Sequence, residues 1–344
     1  MIKKVMFLLI MVLLLSFGAG YMIHTLIRQE APTDTSIDST NPEDTEAETP
    51  IEGDNAKKIE QPYGFDGQKA YDIAKILCQE IGIRVEGSQQ EKSAAARMEN
   101  ILTSCGCDSV SVQSFPLPNG STSQNVIAVV GGQNPSFTFL IGGHYDSRST
   151  TTGGNDNASG AATTVELARV FAHNRTSYPT LIFILFGSEE DFGEITSEHT
   201  NSHYGSRYYV NTLSQKDKSS LIGMISLDMV GSGSVLFARY MGIGPMQLIY
   251  MMQDFGSQSG YQLYLKQSGN LSDHDPFEKA GVPSLWFEYL LNPNGDYDNK
   301  VHRPADNLYN IVPSNLTYTG TLMQKFIENL SQQKCEQLES AKRN

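Results

Sequence analysis

From about Gly64 onward, the chain alternates between two kinds of apolar pattern. Apolar residues at helical spacing predict helices at 70–81, 93–104, 160–172, 246–258 and 313 to about 339. Short runs of β-branched, aromatic and aliphatic residues predict strands at 110–117, 125–130, 137–141, 180–186, 221–227 and 283–289. Strands that alternate with helices indicate one α/β domain over 63–340, built on a mixed, largely parallel sheet with helices on its faces.

The first 29 residues have a different pattern. Lys3 and Lys4 precede an apolar run from Val5 to about Ile23. Such a run approaches the ~20 residues that span a bilayer, and the lysines predict that the rest of the chain lies outside the cytoplasm. We favour an uncleaved membrane anchor. Small residues at 17–20 leave a cleaved signal sequence, and hence a secreted protein, as the alternative.

The segment 30–62 is rich in Asp, Glu, Pro, Thr and Ser and has few large apolar residues. A segment of this kind buries too little apolar surface to offset its ordering entropy, so we expect a disordered acidic linker. It carries much of the formal net charge of −13. A chain this acidic is not expected to bind nucleic acid, because phosphate binding needs a basic surface.

Histidines and carboxylates cluster in five short segments, four of which end a predicted strand or lie in a Gly- and Asn-rich loop. Their candidate ligands are His144, Asp156, one of the adjacent pair Glu189 and Glu190, Asp228 and His302. Two imidazoles and three carboxylates suit a pair of zinc ions. In open α/β sheets, the chemistry lies at the carboxyl ends of the strands. The sequence therefore predicts a metallohydrolase.

Neighbouring residues refine this prediction. Asp146 lies two positions after His144, on the same side of an extended chain, where its carboxylate can orient a metal-binding imidazole. Glu189 and Glu190 are adjacent at a strand end and point to different sides, so that one can bind metal and the other can move protons. Taken alone, Asp156 is better explained as a helix N-cap, and the two glutamates equally as a solvated pair.

The motifs 144–146, 155–160, 189–190, 227–228 and 302–306 resemble, in order, those of co-catalytic zinc aminopeptidases of the bacterial leucyl aminopeptidase type. The segments 81–88 and 272–283 are also similar, and the resemblance covers roughly 65–335. It implies a three-layer α/β/α zinc-exopeptidase fold. The implied activity is hydrolysis of N-terminal residues from peptides with a free N-terminus, by a zinc-activated water.

The same resemblance implies a role for each site residue. Asp156 would bridge two zinc ions, with His144 and Asp228 completing one site and Glu190 and His302 the other. Glu189 would be the general base. The remaining predicted members would support the metal centre or line the substrate pocket, and they are Asp146, Asp273, His274 and Asp306.

Several features depart from that family. Its members often carry a tyrosine just before the Ser-Asp-His segment, whereas 267–271 contains none, so the oxyanion-binding residue is unassigned. The segment 191–203 is long and resembles that of glutaminyl cyclases, which share the fold, although Val301 stands where cyclases tend to have tryptophan. Glutaminyl cyclisation is therefore the alternative function, and an inactive peptide-binding ectodomain is the second alternative.

Two further groups of residues carry no predicted role in the site. His199 and His203 are spaced for one helical face and could bind metal, but we interpret them as exposed loop histidines. The cysteines lie outside the ligand segments, and an exported chain can form disulfides, but the spacing leaves their connectivity open. They are Cys78, Cys105, Cys107 and Cys335.

Overall fold

The computed structural model describes residues 62–190 and 202–342. The predicted anchor and almost all of the predicted linker lie outside the described residues, and both stay predictions. Within the described part of the chain, no helix is long and apolar enough to cross a membrane.

Eight strands in the described residues form one sheet. They are β1 Ser109–Pro116, β2 Thr122–Val130, β3 Asn134–His144, β4 Pro179–Phe186, β5 Leu221–Leu227, β6 Val235–Tyr240, β7 Tyr264–Gln267 and β8 Ser284–Leu290. Their order is β1-β2-β4-β3-β5-β8-β6-β7. The central strands β4, β3, β5 and β8 run parallel, and antiparallel pairs flank them. The structure confirms the predicted mixed sheet.

Helices pack on the sheet. They are α1 Gly67–Lys75, α2 Gln89–Ser104, α3 Ser159–Asn174, α4 Tyr204–Thr212, α5 Gln215–Ser220, α6 Gln247–Ser259, α7 Asp275–Lys279, α8 Pro313–Glu328 and α9 Gln332–Ala341. A π-helical turn, Ile76–Ile81, continues α1, and another, Gly154–Ala158, precedes α3. The larger apolar core joins α1, α2, α3, α6, α8 and α9 to the sheet, and a smaller core lies under α4 and α7.

The predicted elements are present, with differences that have local causes. The prediction of one long final helix from 313 to about 339 was wrong, because the chain forms two helices there. The first ends at Glu328, and Ser331 caps α9 by accepting a hydrogen bond from the Lys334 N–H. The strands β6 and β7 and the helices α4, α5 and α7 were not predicted. These elements are short, and short elements show too few repeats for their period to be recognised. All four cysteines are free thiols.

Glu91 in α2 gives a prediction about stability. Its carboxylate is fully buried and accepts hydrogen bonds from Ser123 Oγ at 2.6 Å and the Gly87 N–H at 2.6 Å. Burial and the charge of Asp146 raise the pKa of Glu91 from 4.5 to about 8. Because the folded protein holds this proton more tightly than the unfolded chain, the contribution of Glu91 to stability falls as pH rises from about 4.5 to 8.

We expect Glu91→Gln to match the native chain near pH 5 and to be more stable at pH 8 by about 1 kcal/mol or more, since one unit of pKa corresponds to about 1.4 kcal/mol. The Gln amide does not ionise. Its oxygen can accept from the Gly87 N–H, and its NH2 group can donate to Ser123 Oγ, as the protonated carboxyl of Glu91 would. Denaturant unfolding at both pH values measures the difference, and Glu99→Gln on the same helix controls for loss of a charge. An equal effect of Glu91→Gln at both pH values would contradict the prediction.

Candidate metal centre

The predicted site forms where the central parallel strands end. His144 is the last residue of β3 and is paired in register with Phe186, the last residue of β4. Glu189 follows β4, and Asp228 directly follows β5. Because β3, β4 and β5 are parallel neighbours, their carboxyl ends meet at one edge of the sheet.

Glycines allow the loop that carries Asp156 to approach β5 closely. A Cβ on Gly160 would overlap the carbonyl oxygen of Leu227, and one on Gly143 would lie 2.6 Å from the same oxygen. Asn157 holds this approach, because its Nδ2 donates to Leu227 O at 2.8 Å and its Oδ1 accepts from the Met229 N–H at 3.2 Å. The Gly and Asn residues of this motif therefore place Asp156 beside Asp228.

Two groups of side chains share Asp156. In the first group, His144 Nε2 lies 3.3 Å from Asp156 Oδ1 and 3.6 Å from Asp228 Oδ1. In the second, His302 Nε2 lies 3.0 Å from Asp156 Oδ2 and 3.5 Å from Glu190 Oε2. Within each group, the candidate ligand atoms lie within 4.8 Å of one another. The structure thus brings all five predicted ligands together, with one Asp156 oxygen toward each histidine.

Asp146 lies behind His144 and also organises the glutamates. Its Oδ1 is 3.3 Å from His144 Nδ1. The same carboxylate accepts the N–H groups of Glu189 and Glu190, each at 3.1 Å. Asp146 is completely buried, so these contacts fix both the imidazole and the turn after β4.

Asp306 supports a different part of the site from the one its sequence position indicates. Although it lies four residues after His302, its carboxylate accepts the N–H groups of Asn155 at 2.7 Å and Asp156 at 3.1 Å. Asn310 Nδ2 donates to it at 3.2 Å. Asp306 therefore holds the backbone of the shared carboxylate.

Asp273 and His274 are completely buried just before α7. The His274 ring packs against Trp286, with centroids 4.2 Å apart, and burial lowers the pKa of His274 to about 3. Burial and the charge of Glu189 raise the pKa of Asp273 to about 8. Neither residue belongs to the two groups of candidate ligands.

The electrostatics of the centre fit a bound cation. Burial and the charges of Asp156 and Glu189 raise the pKa of Glu190 well above its usual value, and burial likewise raises that of Asp228. Glu190 Oε2 pairs with Arg148 Nε at 2.8 Å. Among the described residues, Glu190 Oε1 and Asp228 Oδ1 are nevertheless buried without a hydrogen-bond partner. Buried carboxylates are normally paired or coordinate metals, and imidazole with carboxylate is a donor set that zinc accepts.

These groups open onto a cavity of about 330 Å³. Four carboxylates give the cavity an acidic floor, and its lining also includes a cation and apolar groups. The carboxylates are those of Asp156, Glu189, Glu190 and Asp228, and the other lining residues include Arg148, Leu271, Tyr297 and Val301. A cavity with an acidic floor and partly apolar walls suits a small molecule or chain end that carries a positive charge beside an apolar group.

His203 is the site residue that sequence reasoning missed. It is buried rather than exposed, and its Nε2 lies 3.0 Å from Glu189 Oε1. Burial opposes protonation, but contacts with Asp275 and Glu189 raise the pKa of His203 to about 10. No sequence spacing signals this contact, because it depends on how the chain returns to the site before α4. His199 lies outside the described residues.

The sequence is similar to known peptidases. The profile of peptidase family M28 matches residues 125–327, more than half of the chain. Aminopeptidase YwaD of Bacillus subtilis is 28% identical over 250 residues, 71% of this chain and 50% of YwaD. Leupeptin-inactivating enzyme 1 of Streptomyces exfoliatus is 28% identical over 214 residues, 61% of this chain and 45% of that protein. The chain thus spans about half the length of these curated relatives.

Solved structures show the same fold. A zinc aminopeptidase from Bacillus subtilis, BSAP, superposes with a TM-score of 0.71 at 20% identity, covering 78% of this chain and 96% of BSAP. The glutaminyl cyclase of Porphyromonas gingivalis superposes with a TM-score of 0.67 at 21% identity, covering 77% of this chain and 98% of the cyclase. Fold similarity at this level does not separate the two activities, whereas the profile match establishes the family. The chain belongs to peptidase family M28.

Proposed function

We propose that the protein is a zinc-dependent aminopeptidase that removes N-terminal residues from peptides. The observation that carries this proposal is the pair of ligand groups that share Asp156, with the carboxylate of Glu189 beside them in one cavity. Curated relatives named as an aminopeptidase and as probable zinc metalloproteases support it. We propose two zinc ions per chain, because each group of three residues offers one set of ligands.

The proposed ligands are His144 and Asp228 for one ion, Glu190 and His302 for the other, and Asp156 for both. When bound, zinc acts as a Lewis acid that polarises a carbonyl and makes water a nucleophile near neutral pH. Asp146 orients His144 and Asp306 orients the Asp156 loop, so neither needs to contact the substrate.

Glu189 is the proposed general base. It touches His144 Nε2 at 3.7 Å and lines the cavity, but it is a member of neither ligand group. Its carboxylate accepts the proton of the attacking water and then delivers it to the amine that leaves as the peptide bond breaks. Proton transfer of this kind contributes about 10²–10⁴-fold to a rate.

The acidic floor of the cavity favours a substrate with a free α-amine. A protonated amine is attracted to the carboxylates of the site, and these carboxylates are largely buried, so the attraction is screened less than at the open surface. A blocked N-terminus has no such charge.

We expect the zinc-loaded protein to hydrolyse a peptide with a free N-terminus and to leave its N-acetylated counterpart intact. Mass spectrometry of both peptides, before and after removal of zinc with a chelator, measures this. Efficient cleavage of the acetylated peptide would contradict the proposal. A third peptide with N-terminal Gln distinguishes the alternative, since release of ammonia and formation of pyroglutamate would identify a glutaminyl cyclase.

The location of the protein stays a prediction from its first 62 residues. We propose that the peptidase domain acts outside the cytoplasm, either anchored by the N-terminal segment or secreted after its cleavage. The lysines before the apolar run and the acidic segment after it support this proposal.

A further inference from the structure

The backbone of residues 203–205 is hydrogen-bonded to the backbone of residues 187–189, the turn that carries Glu189. The N–H groups of His203, Tyr204 and Gly205 donate to the carbonyl oxygens of Glu189, Ser188 and Gly187 at 2.8, 2.9 and 3.1 Å. The start of α4 therefore runs beside the turn that carries Glu189, through hydrogen bonds that do not use the His203 side chain. Because His203 has a left-handed backbone with φ 57°, circular dichroism must verify the fold of each variant at this position.

The imidazole of His203 lies between two carboxylates. Its Nε2 is 3.0 Å from Glu189 Oε1, and its Nδ1 is 3.6 Å from Asp275 Oδ2. Asp275 is in turn paired with Lys279, whose Nζ lies 2.7 Å from its Oδ1. The ring thus has a carboxylate near its Nδ1 and presents its Nε2 to one oxygen of Glu189.

The other oxygen of Glu189 is directed elsewhere. Glu189 Oε2 lies 3.7 Å from His144 Nε2, on the side of the candidate ligands. A carboxylate with one oxygen held by a donor can rotate little, so its second oxygen keeps one direction. A base must stay within hydrogen-bond reach of the proton that it accepts, and misplacement by about 1 Å can cost about 10²-fold in rate.

We propose that His203 is a positioning residue for the reaction: it holds Glu189 Oε1 so that Oε2 faces the metal centre. Asp275 orients the imidazole in the same way that a carboxylate orients a metal-binding histidine. This inference rests on the proposed function of Glu189 as the base. A positioning role for His203 can be distinguished from that of a purely structural ion pair with Glu189, because a structural pair would affect stability without affecting kcat.

The kinetic test compares His203→Ala with His203→Gln in the full-length protein. The Ala variant should lower kcat by about 10–100-fold, the range typical of residues that orient a catalytic group, with KM within about threefold and zinc content unchanged. The Gln variant should recover much of kcat, since its amide can still donate to Glu189. His173→Ala is the matched control, because His173 lies on the exposed end of α3 beside Tyr63.

Three results would overturn the inference: a kcat within twofold of native in His203→Ala, a higher KM with kcat unchanged, or a His203→Gln variant as slow as His203→Ala. A proton NMR measurement needs no turnover. The Nε2–H proton of His203 should give an exchange-protected low-field resonance that shifts in Glu189→Gln, and a resonance that ignores this substitution would also refute the contact. An inactive native protein with that resonance present would count against the proposed function alone.

Discussion

Glu189→Gln should retain its metal and lose most of its turnover. An amide has nearly the shape of the carboxylate, and its oxygen can still accept the hydrogen bond from His203. It cannot take a proton from water, however, so we expect kcat to fall by about 10²–10⁴-fold. Zinc content should be unchanged, because Glu189 belongs to neither group of ligands. Steady-state kinetics and elemental analysis of the purified variant measure both quantities.

Glu166→Gln is the matched control for this variant. Glu166 is also a buried glutamate, but it lies on α3 and forms an ion pair with Arg169 at 2.5 Å. Its replacement should leave kcat unchanged even if it lowers stability. Near-native kcat in Glu189→Gln would remove Glu189 from the mechanism and would also remove the basis for the role of His203.

Asp156→Ala should have the largest effect of any single substitution in the site. Both histidines contact the carboxylate of Asp156: His144 Nε2 lies 3.3 Å from Oδ1, and His302 Nε2 lies 3.0 Å from Oδ2. Their contacts lower the pKa of Asp156 although burial acts in the opposite direction. We expect both zinc ions to be lost, with a fall in activity beyond the roughly 10²–10⁴-fold attributed to the base.

Asp228→Ala provides the comparison. Asp228 belongs only to the group that contains His144, so its loss should reduce zinc toward one ion and leave the second group intact. Elemental analysis of the two variants at equal free zinc, with circular dichroism to verify folding, separates the cases. Two zinc ions still bound in Asp156→Ala would show that Asp156 does not bridge.

The contacts of Asp146, which orients residues of the metal centre, could be predicted only in part from the sequence. Asp146 was expected behind His144 because the two residues are two positions apart on an extended chain, and the structure places it there at 3.3 Å. Its hydrogen bonds to the N–H groups of Glu189 and Glu190 could not be foreseen. They depend on β3 and β4 being neighbours, which is a property of the sheet order and not of either segment.

The position of His203 in the site could not be predicted from the sequence at all. A histidine in a polar segment is normally solvated, and nothing in its neighbours indicates otherwise. Its burial and its contact with Glu189 follow from three backbone hydrogen bonds that join 203–205 to 187–189. Backbone pairing between the segments 187–189 and 203–205 produces no pattern of apolar residues in either segment from which it could be predicted.

The fold class, the central strands and the residue types that meet at their ends could be predicted from the amino-acid sequence. Apolar runs followed by His, Asp or Glu predicted His144, the Glu189–Glu190 pair and Asp228, because parallel strands end at one edge of a sheet. Asp156 and His302 lie in loops, and their assignment came from the resemblance to the zinc aminopeptidases. The partner of each side chain became known only from the packing of distant segments. Asp306 illustrates this, since it is near His302 in sequence but binds the backbone of Asn155 and Asp156. Hydrophobic periodicity is a local property, whereas hydrogen-bond partners depend on how distant segments pack.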